Sequence, residues 1–590
     1  MIPLTLKKLI LLFDRKDKLT ILFLFVLNII TSIFEILGIA SIVPFIGLIS
    51  DPEFLQKYTF LDQIYLYFGL TYKQSVIYTG IAIIVLFVLS NLTSAYNLWR
   101  TVKFTAKQSH KISVSIMNKY LSQKYNFFVN SDISSISKNI LSEASILSEN
   151  FLMPALQLIT KLTLLISISI LLFIVNIEVF LYSLSTLILL YILIYKSLRD
   201  LIIRYGKERL ISNDKRFKYV NDSLKSIKDV KFYNVEEYYV DQFSHAQKDF
   251  SYLTAKNTLF SLLPKYLLEI FAIGGLFSIT IYLISIDTSI KDFLPTLSIF
   301  ILAAYRLLPL IQQVYVNFTT MKFYYPVLHV LDEINNLDSS NITRPSERID
   351  FNKTIELKDI CFSYDRKNIL NNISFSFNKS SITGLIGKTG VGKTTLLDLL
   401  LGFNIPTSGE ILLDQVRLDN NDIYKLCNTT GYVSQNITFL DNTIASNIAF
   451  GVSNEKINYK LIDELIDCVQ LRELIDSLEH GINTNIGENG IKLSGGQCQR
   501  IGIARALYLK PTLLIFDEAT NAIDSETETS LIKTIREYTK DTITIIIITH
   551  RLSSISLCDK VLVLNSKNIL SYDKDEVTTE LLEDLLKDTD

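Results

Sequence analysis

The stretch Gly387-Lys388-Thr389-Gly390-Val391-Gly392-Lys393-Thr394-Thr395 decides how the rest of this 590-residue chain is read. It follows an apolar run, Ile382 to Ile386, that reads as a buried strand. It precedes Leu396, Leu397, Leu399, Leu400 and Leu401, spaced as a helix packed on a sheet. The spacing Gly387-x-x-x-x-Gly392-Lys393-Thr394 between them is the phosphate-binding P-loop pattern. Glycines let successive N–H groups turn inward, and the helix N-terminus adds partial positive charge at the same point. Lys393 then reaches the terminal phosphates, and the Thr394 hydroxyl helps hold Mg²⁺. By itself the loop specifies a nucleotide and nothing finer.

Composition sets the class. Hydrophobic residues make up 49% of the chain and mean hydropathy is +0.30, too apolar for an ordinary soluble protein. A net charge of −2 offers no basic footprint for nucleic acid. Cys361, Cys427, Cys468, Cys498 and Cys558 all lie in the C-terminal part without metal-ligand spacing, as expected of free thiols in a reducing cytosol.

Apolar runs near 19–48, 75–98, 150–175, 178–196, 258–285 and 292–317 reach the roughly 20 residues that span a bilayer. Residues 3–13 are expected to form an interfacial helix on the inner leaflet. The segments 100–150 and 196–257 are rich in Lys and Arg, whereas the opposite loops carry only Lys57, Lys73 and Lys291. This places the N-terminus, both long segments and the P-loop domain in the cytoplasm. Helical periodicity in the two segments predicts spans that continue beyond the bilayer, with turns near Ser131–Ser137 and Val235–Tyr239 touching the nucleotide domain. Free cytoplasmic hairpins are the alternative. The expected organisation is an interfacial helix over 1–18, an all-α membrane domain of six helices over 19–336, a polar linker over 337–350, and an α/β nucleotide-binding domain over 351–590.

Other sites narrow the nucleotide chemistry. Leu513 to Glu518 reads as a buried strand ending in two carboxylates, Asp517 placed to hold Mg²⁺ and Glu518 to polarise an attacking water. A second strand, Ile543–Ile548, ends at Thr549-His550, where imidazole can bond a γ-phosphate. Gln435 offers an amide to Mg²⁺ or the water, and Tyr364 an aromatic face to adenine, with simple packing as the alternative. Leu493-Ser494-Gly495-Gly496-Gln497 is a second glycine turn, followed by a helix over 499–509. One ATP needs only one phosphate loop, so this turn makes sense if it closes over nucleotide bound to another copy.

With these motifs in this order, the chain resembles the ATP-binding cassette (ABC) transporters, and specifically an exporter half-transporter with one cassette. The resemblance implies an exporter (type IV) membrane fold and ATP with Mg²⁺ as cofactors. It implies Tyr364 stacking on adenine, Gln435 coupling ATP to the membrane domain, Glu518 as catalytic base, Asp524 as the acid after the carboxylate strand, and His550 as switch histidine. Glu488 matches an exporter segment that touches the intracellular loops. Each site takes its P-loop from one copy and Ser494, Gly495, Gly496 and Gln497 from another, so a homodimer is expected, with a heterodimer as alternative.

Glu35, Lys161, Lys265, Glu269 and Arg306 lie within the apolar runs, where charges face the bundle interior. Two readings stand: internal pairing, such as Glu35 or Glu269 with Arg306 or Lys161, or Lys265 and Arg306 meeting an anionic head group. Ser32 to Glu35, Ile42 to Ile46, Pro264-Lys265, Glu269 and Ala304 to Pro309 resemble the PglK-type flippases of bacterial protein glycosylation. That resemblance implies a polyprenyl-pyrophosphate oligosaccharide as cargo and a bacterial cytoplasmic membrane as location. Residues 50–58 are expected as a small outer-surface helix, either for the lipid tail or as a plain loop helix. Export of other lipids, drugs or peptides, and an ATP-gated channel, are the competing functions.

Overall fold

In the computed structural model of the chain, the described residues are 13–41, 45, 49, 71–175, 177–285, 290–337, 347–364, 367–388, 390–487, 490–519, 523–540, 542–549, 551–565, 569–573 and 576. The interfacial helix up to residue 12, the outer helix over 50–58, Thr389, Glu488 and His550 therefore lie outside the described residues, as does the side chain of Arg306. The N-terminal part forms α1 (Arg15–Ala40), α2 (Tyr72–Leu121), α3 (Tyr125–Val129), α4 (Met153–Val175), α5 (Ile177–Lys225), α6 (Ile227–Phe232), α7 (Glu236–Ser285), α8 (Ile290–Phe323) and α9 (Tyr325–Asn336). Contacts divide the chain into two units, Met1–Gln123 with Asn130–Ser340, and Lys124–Val129 with Asn341–Asp590.

In the first unit, α1, α2, α4, α5, α7 and α8 fall on the expected apolar runs. Among the described residues, α1, α2 and the stretch ending in α4 are long and apolar enough to cross a membrane. Helix α1 starts at Arg15, earlier than its apolar run, because Asp17 suits a helix N-terminus and is tied down: its buried carboxylate accepts from Lys111 Nζ at 2.6 Å and Lys107 Nζ at 3.3 Å. Thr71 and Gln74 close a capping box at the start of α2. Apolar surface gives no preference between helix neighbours in lipid, so polar side chains join them. Asn28 on α1 accepts from Asn97 on α2 and, at 3.0 Å, from Thr160 Oγ on α4.

The turn expected over Ser131–Ser137 is corrected. The reversal comes earlier, after Leu121, and Asp132 restarts a helix over Ile133–Lys138 by accepting from Ser134 N at 2.9 Å. It is α3, at residues 125–129, that clusters with the second unit. Between Lys138 and α4 the helix passes through two π-helical turns, Asn139–Glu143 and Ser148–Leu152. The first buries Glu143, whose carboxylate takes two bonds from Arg209 on α5, at 3.2 and 3.4 Å, and one from Asn213 at 2.7 Å. The Arg209 guanidinium also lies over the rings of Phe250 and Tyr324.

The second unit holds two sheets. One is antiparallel, in the order β2-β1-β4-β5, from β1 (Thr354–Tyr364), β2 (Lys367–Asn378), β4 (Ser408–Leu413) and β5 (Val416–Arg417). The other runs β10-β9-β3-β8-β7-β6, from β3 (Ile382–Ile386), β6 (Thr430–Val433), β7 (Leu513–Asp517), β8 (Thr544–Ile548), β9 (Lys560–Leu564) and β10 (Ile569–Asp573). All its pairings are parallel except that of β10 with β9. Alternate residues of its strands enter different cores: Leu514, Phe516, Ile545 and Ile547 join one, and Leu513, Ile515, Ile546 and Ile548 the other. Burial on both faces is why these strands read as unbroken apolar runs. The helices that matter for the site are α10 (Lys393–Leu400), α11 (Ile444–Ile448), α12 (Tyr459–Cys468), α13 (Gly495–Tyr508) and α14 (Ser525–Tyr538).

Among the described glycines of the first unit, Gly206 on α5 makes the closest approach, where a Cβ would stand 1.9 Å from the backbone oxygen of Phe323 at the end of α8. Gly206→Ala should push these helices apart at a cost of roughly 1–3 kcal/mol. It should be read as a lower thermal midpoint of the purified protein.

Candidate functional site

Parallel strands deliver their following loops to one edge of the sheet, where α/β proteins bind ligands. Here the P-loop follows β3, Gln435 follows β6, Asp517 and Glu518 close β7, and Thr549 follows β8. The adjacency β3-β8-β7-β6 puts these loops side by side.

The P-loop has the backbone its glycines predict. Gly390 and Gly392 sit at φ +84° and +112°, and Gly392 is the N-cap of α10. Lys393 is buried, and its ammonium donates to the carbonyls of Gly387 and, at 3.3 Å, Lys388. Burial pushes the Lys393 pKa down, opposed by the charges of Glu518 and Asp517. Thr394 is exposed and Thr395 buried.

The two carboxylates at the end of β7 are held differently. Glu518 has a left-handed backbone, φ +51°, a strain that turns it off the strand. Gln435 Nε2 donates to Glu518 Oε2 at 2.8 Å. Asp517 Oδ2 accepts from the Tyr432 hydroxyl at 3.0 Å. Burial, with the Glu518 charge, holds the Asp517 carboxyl above its usual range. Burial also pushes the Tyr432 phenol well up, seconded by Asp517. Asp398, on the inner side of α10, is pushed up to about 6 by burial and by Asp517.

Tyr364 is partly exposed, stands edge-on to Phe362, and accepts from Asn404 Nδ2 at 2.9 Å. The neighbouring Phe403 stacks on Tyr125 of α3 with centroids 4.8 Å apart, inside the same unit.

The helix expected over 499–509 is corrected to Gly495–Tyr508. Ser494 is its N-cap: Oγ accepts from Gln497 N at 3.3 Å while Gln497 Oε1 accepts from Ser494 N at 2.8 Å. This capping box converts the glycine turn into a first helical turn, packed against α11 and α12 through the rest of α13. Asp524 likewise caps α14, accepting from Thr527 N at 2.9 Å, and this bond lowers its pKa. Next to His550, Thr549 accepts from Arg551 N and bonds Ser554, while Ser554 donates to the fully buried Glu528 at 2.6 Å. Tyr432, Asp398, Asn404 and Glu528 are the residues that sequence reasoning missed. Only Asp398, a carboxylate interrupting a leucine run, carried a local signal.

Thr394, Asp517 and Gln435 present oxygens of a hydroxyl, a carboxylate and an amide. Among the described residues no cluster of three or more His, Cys, Asp or Glu could hold a metal ion. One carboxylate plus a hydroxyl beside a phosphate loop fits Mg²⁺, which binds through few protein ligands and the substrate's own phosphates.

The ABC transporter family profile matches residues 370–521, and that of the ABC transporter transmembrane region matches residues 18–313. The chain belongs to the ABC transporters. This ABC transporter is a helical transmembrane domain fused to an α/β nucleotide-binding domain. It is 40% identical over 236 residues to the ATP-dependent lipid A-core flippase of Francisella tularensis, covering 40% of this chain and 38% of that one. It is 42% identical over 218 residues to a putative export ATP-binding/permease protein of Rickettsia bellii, covering 36% and 37%. ABC transporter B family member 29, chloroplastic, of Arabidopsis thaliana is 31% identical over 403 residues, 65% of this chain and 62% of that one. The chain thus spans less than two thirds of each of these relatives. In fold, it superposes on a bacterial Atm1-family ABC exporter with ATP bound at TM-score 0.78 and 19% identity, over 97% of both chains.

Asp398 gives a pH test. Its folded pKa of about 6 exceeds the ordinary 3.8, so the stability it contributes is complete below the lower value and lost as pH rises through the upper. Asp398→Asn should therefore stabilise the protein at pH 8, by up to about 3 kcal/mol. The gain in thermal midpoint should shrink as the pH is brought to 5.

Proposed function

We propose that this chain is half of an ATP-hydrolysing exporter, working as two identical copies. Its cargo is a lipid-linked oligosaccharide, a polyprenyl-pyrophosphate glycan, carried from the cytoplasmic to the outer leaflet of a bacterial cytoplasmic membrane. The domain plan is an interfacial segment to residue 18, six spans to 336, a linker to 350, and the nucleotide-binding domain beyond.

The observation that carries hydrolysis is the setting of Glu518, turned off β7 by its left-handed backbone and held by Gln435 at 2.8 Å. In this reading ATP lies on the P-loop with adenine against Tyr364, and Lys393 exchanges the carbonyls of Gly387 and Lys388 for phosphate oxygens, which are stronger acceptors. Thr394, Asp517 and Gln435 would hold Mg²⁺, which when bound offsets phosphate charge. Glu518 polarises the attacking water while Gln435 fixes the carboxylate's direction. His550 bonds the γ-phosphate.

Assembly follows from a spare helix start. Ser494 and Gly495 are exposed, so the N–H groups opening α13 are offered outward, to the nucleotide of a second copy. Phe232, Tyr233 and Tyr238, around the end of α6 and the start of α7, are also largely exposed, an aromatic tip suited to a protein partner.

Cargo is read from the membrane unit. Lys265 Nζ lies 3.7 Å from Glu269 Oε1, which favours internal pairing for these two. In this reading the head-group role is given to Arg306, whose guanidinium suits the oxygens of a pyrophosphate. The relatives named as lipid A-core flippases support a lipid cargo in general.

Two experiments test this. Glu518→Gln and Ser494→Arg should each bind ATP and abolish turnover, and a mixture of the two should recover ATPase through pairs with one intact site; no recovery refutes the shared site. In liposomes, Arg306→Ala should lower translocation of a fluorescent polyprenyl-pyrophosphate glycan severalfold and spare basal ATPase. Ion conductance without lipid movement would make the protein a channel instead.

A further inference from the structure

We propose that Tyr432 is a positioning residue for Asp517: by donating to Oδ2 it leaves Oδ1 as the oxygen offered to the metal. This rests on the reading of Asp517 as the carboxylate that meets Mg²⁺.

The geometry is set by the sheet. Strand β6 pairs in parallel with β7 so that Tyr432 stands opposite Ile515, and the phenol reaches along β7 to the carboxylate two residues further on. The ring packs against the core beneath the sheet, so the hydroxyl is placed by a strand and not by a loop. A phenol has few rotatable bonds, and its donor direction is correspondingly fixed.

Asp517 needs that restraint. Glu518 and Asp398 place negative charge beside it, and the Lys393 ammonium acts on the same carboxylate. An unheld carboxylate turns away from the like charges and toward the ammonium. One donor on Oδ2 removes that freedom and leaves the second oxygen available, as outer partners of metal ligands do. Tyr432 would thus be a partner of the metal carboxylate that no glycine or carboxylate motif in the sequence announces.

The test uses the full-length protein in detergent, with Mn²⁺ as the probe, followed by electron paramagnetic resonance at saturating ADP. Tyr432→Phe removes one oxygen and keeps the ring. It should weaken Mn²⁺ binding roughly tenfold, while ADP affinity in EDTA stays at the wild-type value. Asp517→Asn is the reference. If it weakens Mn²⁺ binding and Tyr432→Phe does not, the positioning role is overturned. If Asp517→Asn itself leaves Mn²⁺ binding unchanged, the metal reading falls and takes this role with it. If Tyr432→Phe lowers metal-free ADP affinity by the same factor as Mn²⁺ affinity, the hydroxyl merely supports the loop and the proposal fails.

Discussion

A parallel strand buried on both faces cannot turn straight back, because its neighbour starts again at the far end of the sheet. The chain has to leave at one edge and return through a crossover. In β3, β6, β7 and β8 this puts every outgoing loop on the same side, and the P-loop, Gln435, the two carboxylates and Thr549 are brought together there by the order of the strands. The same burial thins the water around the strand ends. Carboxyls standing there become harder to ionise, which is why Asp517 and Asp398 are both displaced upward. At the same edge Tyr432 donates to Asp517 and Gln435 to Glu518.

The membrane-facing unit solves a different problem. Its α2 shows Ile84, Val85, Val88 and Leu92 outward, residues that lipid accepts as readily as another helix would. Specific association falls to polar contacts, which among the described residues include Asn28 with Asn97 and Thr160 and Ser261 with Thr319 among the spans, and Glu143 with Arg209 beyond them. A buried ion pair of this kind repays its desolvation only when the geometry is good and further bonds complete it. Asn213 and the two aromatic rings supply part of that completion, while the buried Arg209 Nε has no hydrogen-bond partner among the described residues.

Periodicity and spacing made much of this legible. The run Ile382–Ile386 is a strand to the residue, the run from Leu513 is a strand that stops at Asp517 because Glu518 turns left-handed, and the P-loop backbone follows from where the glycines stand. The start of α13 was displaced because two glycines read as a turn, although Ser494 and Gln497 have the three-residue separation of a capping box. Asp132 was the same kind of signal, passed over inside a run of serines. Tyr432 could not be found this way. It lies 85 residues from Asp517, and only the register of β6 against β7 makes them neighbours. Asn404 with Tyr364, and Glu528 with Ser554, are likewise set by tertiary approach, not by spacing.

The two π-helical turns ahead of α4 have a genetic corollary. Each loop of such a helix accommodates one residue more than the ordinary winding, without disturbing the stretches on either side. Losing a codon within 148–152, or within 139–142 so that Glu143 is kept, would let that loop tighten to regular winding while the flanking faces kept their bearings. The same loss in the middle of α5 would swing everything downstream by about 100° and tear Arg209 from its carboxylate. The coiled surplus makes the stretch between Lys138 and α4 one region where length can drift over evolutionary time.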